Sequence, residues 1–273
     1  MKREDLEPFF SGDRLYGDDF DDTQVAEWYA DECEAYAELG AEDREHYHYE
    51  YHASNRYAGY RHLGDKRYSH ALGFGSAYGD ELLPVIDRID RITIVDPSTK
   101  FTRTEVHGVP AEYVTPLATG QLPFPPEIFD LVTCFGVLHH IANVSHVVND
   151  LARVMKPGAY LLLREPIVSM GDWRYPRPGL TKRERGIPAK ILRDMVHAAG
   201  LATVSETLFG FPITERLFRL MVRDVYNSPV AVWFDAMVSR AFAWNVNYHP
   251  RRKLHLLRPT SLFLVAAKAP VAQ

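Results

Sequence analysis

Residues 73–79 form a glycine-rich segment, Gly-Phe-Gly-Ser-Ala-Tyr-Gly, between a predicted strand and a predicted helix. Glycines at such a junction let the backbone approach a ligand closely, and the helix N-terminus offers free N–H groups. Asp96 ends the next predicted strand, where a carboxylate can accept hydrogen bonds from both hydroxyls of a ribose. Gly73, Gly75 and Asp96 therefore indicate a nucleoside site. The GxGxxxG spacing differs from the dinucleotide GxGxxG, and the alternative is that Asp96 only begins a turn before Pro97.

Two adjacent histidines, His139 and His140, follow a nearly all-apolar predicted strand, and Glu165 follows the next strand along the chain. The carboxyl ends of parallel strands share one edge of a sheet, where α/β domains bind their ligands. Histidine titrates near neutral pH and suits general acid–base chemistry. The pattern predicts a histidine–carboxylate pair at this edge, with His140 favoured over His139 as the base. The alternative is that one histidine packs under the sheet and the other caps the next helix.

The remaining histidines and the cysteines give no metal or disulfide pattern. His48 and His52 are four residues apart, which suits one helix face, but no third ligand is evident. We therefore predict no metal site. Cys33 and Cys134 lie far apart without CxxC spacing, which favours two reduced thiols in a cytoplasmic protein.

From residue 68 onward, predicted strands and helices alternate and would position these side chains. Short β-branched or apolar runs predict strands, and apolar residues every three or four positions predict helices. The predicted strands are 69–72, 92–96, 112–115, 130–135, 160–163, 203–208 and 261–267, and the predicted helices are 80–89, 144–155 and 189–199. Strands separated by helices argue for a mostly parallel sheet with helices on both faces, a doubly wound α/β fold.

Three stretches do not follow that alternation. Residues 1–65 are rich in aromatic and helix-forming residues and predict a helical N-terminal cap. Residues 66–273 form the predicted core domain, and residues 211–259 are predicted as a two-helix insertion with many large apolar side chains. Those side chains need a cover, either the cap or a second subunit, so a homodimer is one expected arrangement. Residues 171–188 form a Pro- and Arg-rich loop.

The composition of the 273-residue chain excludes several classes of protein. Its formal net charge of −5 argues against a general nucleic-acid-binding surface. No apolar run is long enough for a transmembrane helix, so we expect no membrane partner. The N-terminal residues are charged and lack the apolar run of a signal peptide. A cytoplasmic globular protein with a small-molecule substrate is the expectation that remains.

A set of four motifs gives the sequence its most specific signal. They are Leu122-Pro123-Phe124, Phe129-Asp130, Leu138-His139-His140-Ile141 and Met155-Lys156-Pro157-Gly158-Ala159. The set closely resembles the class I S-adenosylmethionine-dependent methyltransferase family over roughly residues 68–209 and the last strand. In that family LPF and FD lead into the fourth strand, LHHI follows it, and LKPGG precedes the fifth. The resemblance implies a seven-stranded Rossmann-like sheet in the order 3-2-1-4-5-7-6, with strand seven antiparallel.

The resemblance also implies roles for the candidate residues, with S-adenosylmethionine as the cofactor. Gly73 and Gly75 would lie against the methionine part and the ribose, Asp96 would hold the ribose, and Phe135 would flank the methionine part. Methyl transfer asks mainly for alignment of acceptor, methyl group and sulfur. A hydroxyl acceptor also needs a base, which His139 or His140 with Glu165 would supply.

Two positions depart from the family pattern. The family usually has an acid two residues before the first glycine, where this chain has Ala71. The family often has an Asp that contacts the adenine amine, at about the place of Ala118. Either backbone groups and Glu112 or Gln121 substitute for the missing acids, or the affinity for the cofactor is low.

We expect a methyltransferase that acts on an oxygen of a sugar-like or natural-product acceptor. The alternative is a non-catalytic methyltransferase-like binding or scaffold protein, which the departures at Ala71 and Ala118 favour. A nicotinamide-dependent reductase is opposed by the glycine spacing and by the lack of a Tyr-x-x-x-Lys pair. The cations between Arg174 and Arg185 suggest either a solvated loop or a lid that recruits an anionic acceptor.

Overall fold

Eight strands form one mixed sheet in a computed structural model that describes residues 3–39, 44, 47–173 and 175–270. The strands are β1 Ala71–Phe74, β2 Ile92–Val95, β3 Glu105–Val106, β4 Val109–Val114, β5 Phe129–Phe135, β6 Met155–Pro166, β7 Leu201–Phe209 and β8 Ser261–Lys268. Their order is β3-β4-β2-β1-β5-β6-β8-β7. Without β3 this is the predicted seven-strand order, and the fold class is confirmed.

The direction of the strands also follows the prediction. Strands β4, β2, β1, β5 and β6 run parallel, whereas β8 is antiparallel to both β6 and β7. The eighth strand, β3, was not expected. It pairs antiparallel with β4 through a tight turn at His107 and Gly108, both with positive φ, and extends the sheet at one edge.

Seven helices surround the sheet in the described part of the chain. They are α1 Arg3–Ser11, α2 Asp22–Leu39, α3 His52–Ala58, α4 Val144–Val154, α5 Ala189–Ala198, α6 Pro212–Arg219 and α7 Pro229–Ala241. Leu72 and Phe74 of β1 pack in one core cluster with α4 and α5, while Ala71 packs in the opposite cluster with α3 and α7. The two-residue period of a strand distributes β1 between the two faces, as a doubly wound sheet requires.

Two predicted helices differ in detail. Residues Asp80–Arg88, with Pro84 inside, form a 3-10 helix where a regular helix over residues 80–89 was expected. The cap is less continuous than expected after α2. Residues 47–50 have no regular structure before α3, and the prediction for residues 40–43, 45 and 46 lies outside the described residues.

The cap is attached to the core next to the histidine pair. Trp28 of α2 is 1% exposed, and its Nε1 donates to the carbonyl oxygen of His140 at 2.7 Å. Tyr16 and Phe20 pack around the Trp28 ring. The boundary between cap and core at residues 65 and 66 stays a prediction. Among the described helices, none has both the length and the apolar character needed to cross a membrane.

Candidate active site

Two cavities open at the edge of the sheet where β1, β2 and β5 end, and both are lined by Gly75 and Asp96. The first, here the α2 cavity, has a volume of about 780 Å³ and is lined by Val25, Trp28, Tyr29, Glu32, Cys33, Phe74, Gly75, Val95, Asp96, Pro97, Pro116, Leu117, Ala118, Gly120, Val137, His140, Ile141, Ala142 and Asn143. The second, here the tyrosine cavity, has about 1110 Å³ and is lined by Tyr47, His48, Tyr49, Glu50, Tyr51, Gly75, Ser76, Ala77, Glu81, Asp96, Phe101, Phe135, Gly136 and Arg164.

Gly73 and Gly75 lie so close to neighbouring side chains that a Cβ atom would clash at either position. A Cβ atom at Gly73 would lie 2.5 Å from Ser76 Oγ, and one at Gly75 would lie 2.5 Å from a methyl group of Val137. Gly75 also has φ of +66°, which disfavours any other residue. The structure therefore brings the loop after β1 against the segment after β5, which contains Val137.

Asp96 lies between the two cavities and holds the loop. Its Oδ2 accepts from the N–H of Ala77 at 3.0 Å, and its Oδ1 accepts from the N–H of Ser98 at 2.9 Å. Burial raises the pKa of Asp96, and these two hydrogen bonds partly offset that rise. Asp96 therefore does begin a turn, which was the alternative interpretation of this residue. It also lies on the walls of both cavities, so the two roles are compatible.

Glu81 is a site residue that sequence reasoning missed. It lies in the 3-10 helix after the loop, is 4% exposed, and lines the tyrosine cavity. A Cβ at Gly73 would lie 3.4 Å from Glu81 Oε1, and Thr133 Oγ1 donates to the same oxygen at 3.4 Å. Burial raises the pKa of Glu81 to about 7. Glu81 therefore supplies a carboxyl group next to β1, where the family usually has an acid at the position of Ala71.

Asn143 is a second missed residue, in the α2 cavity near Ala118. Its Nδ2 donates to the carbonyl oxygen of Thr119 at 2.8 Å, whereas its buried Oδ1 has no hydrogen-bond partner among the described residues. A buried acceptor without a partner is unusual in a folded protein. Glu112 and Gln121, two of the expected substitutes, are both exposed and line neither cavity, so the structure gives that alternative no support.

Glu165 pairs with His139. The fully buried carboxylate accepts from the N–H groups of residues 137–139 at 2.9, 2.9 and 3.3 Å, and it contacts His139 Nδ1 at 2.8 Å. Glu184 lies 3.5 Å from His139 Nε2. Burial alone would lower the pKa of His139, but the two carboxylates outweigh burial and raise it to about 9. His139 is therefore an imidazolium at neutral pH.

His140 has a different partner, Glu32 of α2. Its Nδ1 lies 2.8 Å from Glu32 Oε2, and Thr181 Oγ1 and the N–H of Arg183 donate to the same carboxylate at 2.7 and 2.9 Å. Burial and the neighbouring charge of His139 lower the pKa of His140. The neutral ring lines the α2 cavity. A histidine–carboxylate pair is present for each ring, Glu165 with His139 and Glu32 with His140, because consecutive residues in a 3-10 turn direct their side chains differently.

The histidines also form a group with the chemistry of metal ligands. His139, His140 and Glu184 each offer a ligand atom, and the three atoms lie within 4.8 Å of one another. Sequence spacing did not reveal the group because Glu184 is distant in the chain. Their hydrogen bonds to Glu165, Glu32 and Thr181 already give each side chain a protein partner. The prediction of no metal site stays a prediction.

The cations of the 171–188 loop are used within the protein. Arg177 donates to three carbonyl oxygens of residues 181–184, Lys182 and Arg183 pair with Asp31, and Arg185 is fully buried and donates to carbonyl oxygens including that of His139. Arg174 lies outside the described residues. Lys182 and Arg183 tie the loop to α2, whereas Arg185 ties it to the turn after β5. Because Arg177, Lys182 and Arg183 also line a cavity between the loop and the cap, the anion-recruiting lid stays a prediction.

A third cavity continues the tyrosine cavity along the sheet edge. It has a volume of about 890 Å³ and shares Glu50, Tyr51, Gly136 and Arg164 with the tyrosine cavity. His139 and Glu165 lie on its wall, together with Tyr226 and Arg219 of the insertion. The Arg164 guanidinium lies 3.8 Å above the Tyr51 ring. We call this the acceptor cleft. It is aromatic and charged, and it adjoins Phe135 through Arg164.

We predict that Glu165→Gln destabilises the fold by about 3–5 kcal/mol, because it removes one charge of a buried pair and leaves His139 with only the more distant Glu184 carboxylate. Urea unfolding followed by circular dichroism at pH 7 measures the change. Glu206→Gln is the matched control, since Glu206 pairs with Arg193 at the surface and should cost less than about 1 kcal/mol. Equal effects of the two substitutions would contradict the structural role given to Glu165.

Comparisons with known proteins agree with the fold and the motifs. Residues 71–163 match the family model described as a methyltransferase domain. The tRNA U34 carboxymethyltransferase of Ruthia magnifica is 35% identical over 104 residues, which cover 36% of this chain and 32% of that protein. A ubiquinone biosynthesis O-methyltransferase of Photobacterium profundum is 33% identical over 54 residues, 20% of this chain and 23% of that protein.

A solved structure extends the similarity beyond the matched segment. Phosphoethanolamine N-methyltransferase 2 of Haemonchus contortus, in complex with phosphomonomethylethanolamine and S-adenosylhomocysteine, has a TM-score of 0.51 at 15% identity. The alignment covers 79% of this chain and 52% of that one. The curated relatives are matched over about a third of their length or less. Residues 71–163 thus match a methyltransferase domain, and the strand order and the four motifs support the resemblance to the class I S-adenosylmethionine-dependent family.

Proposed function

We propose that this protein transfers the methyl group of S-adenosylmethionine to a small or medium-sized acceptor bound in the acceptor cleft. The observation that carries the proposal is the pair of cavities that share Gly75 and Asp96 at the edge of a methyltransferase sheet. One cavity is mostly apolar and fits a nucleoside base, while the other is polar and leads to the acceptor cleft. An extended ligand with an apolar and a polar end suits this arrangement.

The residues present fit the cofactor at both ends. The orphan acceptor Asn143 Oδ1 suits the adenine amine, and Asp96 suits the ribose hydroxyls. Glu81, with Gly75 and Phe135, would hold the methionine part, where a buried carboxylate suits an ammonium group. The bound cofactor supplies an electrophilic methyl group on sulfur, and the protein supplies alignment and an environment that excludes water.

Asp96→Asn should weaken binding of S-adenosylhomocysteine by about 1.5–3 kcal/mol, which is roughly 10- to 150-fold, because it replaces a charge-assisted hydrogen bond to ribose. Isothermal titration calorimetry measures the affinity. Asp90→Asn, at an exposed position that pairs with Arg67, is the control and should bind as the wild type does. An unchanged affinity in Asp96→Asn would remove that residue from the site.

Asn143 should recognise the adenine amine directly. The wild type should bind S-adenosylhomocysteine about tenfold more tightly than S-inosylhomocysteine, whose ring presents an oxygen where adenine presents the amine. Asn143→Leu should bind the two ligands with similar affinity, and Asn149→Leu, an exposed position on α4, should keep the wild-type preference. Retention of the preference in Asn143→Leu would place the adenine elsewhere.

For a hydroxyl acceptor we propose His139, oriented by Glu165, as the base, because His139 lies on the wall of the acceptor cleft. His140, which the sequence favoured, lines the α2 cavity that the adenine would fill, and it acts as a positioning residue held by Glu32. The two carboxylates beside His139 raise its pKa to about 9, so its ring must lose a proton before it can accept one from the hydroxyl. Oxygen as the acceptor atom draws support from the ubiquinone biosynthesis O-methyltransferase, which is similar over a short segment. A sugar-like or natural-product acceptor, its anionic character, a homodimer and a cytoplasmic location stay predictions.

His139→Asn, whose amide can still donate to Glu165, should slow turnover by about 100- to 10,000-fold while binding of S-adenosylhomocysteine persists. A screen with methyl-labelled S-adenosylmethionine first supplies the acceptor. Because the pKa of His139 is raised to about 9, the wild-type rate should rise with pH through about 9 as the ring loses its proton. A rate that is instead flat from pH 7 upward and falls on the acid side would assign the base to His140, whose pKa is lowered. His146→Ala, on the exposed side of α4, is the control.

The alternative is a non-catalytic methyltransferase-like module, which Ala71 and Ala118 favour in the sequence. Glu81 and Asn143 weaken that alternative, since they return polar groups to both ends of the cavity pair. Titration with S-adenosylmethionine separates the two functions: the alternative predicts no saturable binding, whereas the methyltransferase predicts one site per chain.

A further inference from the structure

Helix α7 presents apolar side chains on both of its faces. Ala231, Val232 and Ala236 are buried toward the core, where α7 packs on α3 and β7. The opposite face carries apolar residues at i, i+3, i+4 and i+7, and all of them are exposed: Val230 69%, Trp233 52%, Phe234 39% and Met237 50%. A helix that is apolar all round is normally buried on both sides. The outer face of α7 therefore lacks the cover that its sequence calls for.

Helix α6 continues this exposed face. Ile213 and Leu217 lie four residues apart and are half exposed, and Leu220, just after the helix, is 84% exposed. Phe218 of α6 packs against Phe234 of α7, with ring centroids 5.7 Å apart, so the two helices lie side by side. An apolar patch spread over two neighbouring helices exceeds the scattered exposed residues that ordinary surfaces show. We call it the insertion face.

The exposed charges of the insertion, residues 211–259, are all positive. They are Arg216, Arg219, Arg223, Arg240, Arg251, Arg252 and Lys253. Of these, Arg219 pairs with Glu215 and Arg251 pairs with Glu7 of the cap. The acids of the segment, Glu215, Asp224 and Asp235, are half buried or buried, and Asp235 accepts from the N–H groups of residues 210 and 211. This cationic surface belongs to a chain of formal net charge −5. The helical spacing places Arg216 beside Leu217 and puts Arg240 at the end of the α7 stripe.

We propose that the insertion face docks on an anionic lipid bilayer. Apolar side chains with tryptophan among them, interleaved with arginine, are the combination that binds the boundary between lipid headgroups and acyl chains. Each cation near an anionic leaflet adds about 1 kcal/mol. A second copy of the chain fits less well, because an isologous contact would bring like charges together. Interfacial docking needs no spanning helix, so it is compatible with the helices described, although the sequence led us to expect no membrane partner.

The insertion face lies next to the acceptor cleft. Glu215 and Arg219 of α6 line that cleft, whereas Ile213 and Leu217 of the same helix belong to the exposed patch. Docking on a bilayer would therefore bring the cleft close to the lipid headgroups. The lipid-binding proposal does not depend on methyl transfer, and its test needs neither cofactor nor acceptor.

The test is co-sedimentation of the full chain with phosphatidylcholine vesicles, with and without phosphatidylglycerol. The wild type should bind the anionic vesicles, bind neutral vesicles at least about tenfold more weakly, and lose affinity as salt rises. Emission from Trp233 and Trp244, both exposed, should shift to shorter wavelength on binding. Equal binding to both vesicle types, or no binding to either, would overturn the proposal.

Variants on and off the face sharpen the result. Val230→Ser combined with Trp233→Ser and Met237→Ser should reduce vesicle binding about tenfold or more while unfolding and S-adenosylhomocysteine affinity stay at wild-type values. Leu83→Ser combined with Val204→Ser changes exposed apolar residues elsewhere and should bind like the wild type. Sedimentation velocity is the second measurement. A wild-type dimer that the triple substitution makes monomeric, together with no vesicle binding, would assign the face to a second copy and overturn the proposal.

Discussion

The buried carboxylate of Glu165 is the contact on which the geometry of the site depends. It lies at the end of β6 and accepts hydrogen bonds from the backbone of residues 137–139, which follow the neighbouring strand β5. The turn thus held places Val137 against Gly75, and it fixes the ring of His139. Burying a carboxylate away from water costs free energy unless hydrogen bonds replace its hydration. Here four N–H groups surround the two oxygens of Glu165.

A second carboxylate, Glu32, connects the cap to this turn. It contacts His140, and it also accepts from Thr181 and Arg183 of the loop after β6. Three segments that are distant in the chain therefore meet over the α2 cavity. Because one carboxylate holds them together, loosening α2 would both open the cavity and release His140. The cap is in this way part of the site as well as a cover for it.

The sequence predicted the parts of the molecule that depend on local patterns. The strands, their order, Asp96 and the glycine loop follow from periodicity, turn chemistry and family motifs, and the structure contains them in the expected places. It did not predict Glu81 or Asn143, because their functional surroundings are created by packing against strands far along the chain. The partner of His140 was missed for the same reason, since Glu32 lies more than a hundred residues from it along the chain.

The central claim is that one ligand spans the α2 cavity and the tyrosine cavity across Asp96. The measurement that tests it most directly is a crystal structure of the full chain grown with S-adenosylhomocysteine. We expect the adenine beside Asn143, the ribose on Asp96 and the amino-acid end beside Glu81. Ligand density in another part of the molecule, or both cavities filled only by solvent at a saturating concentration, would contradict the account.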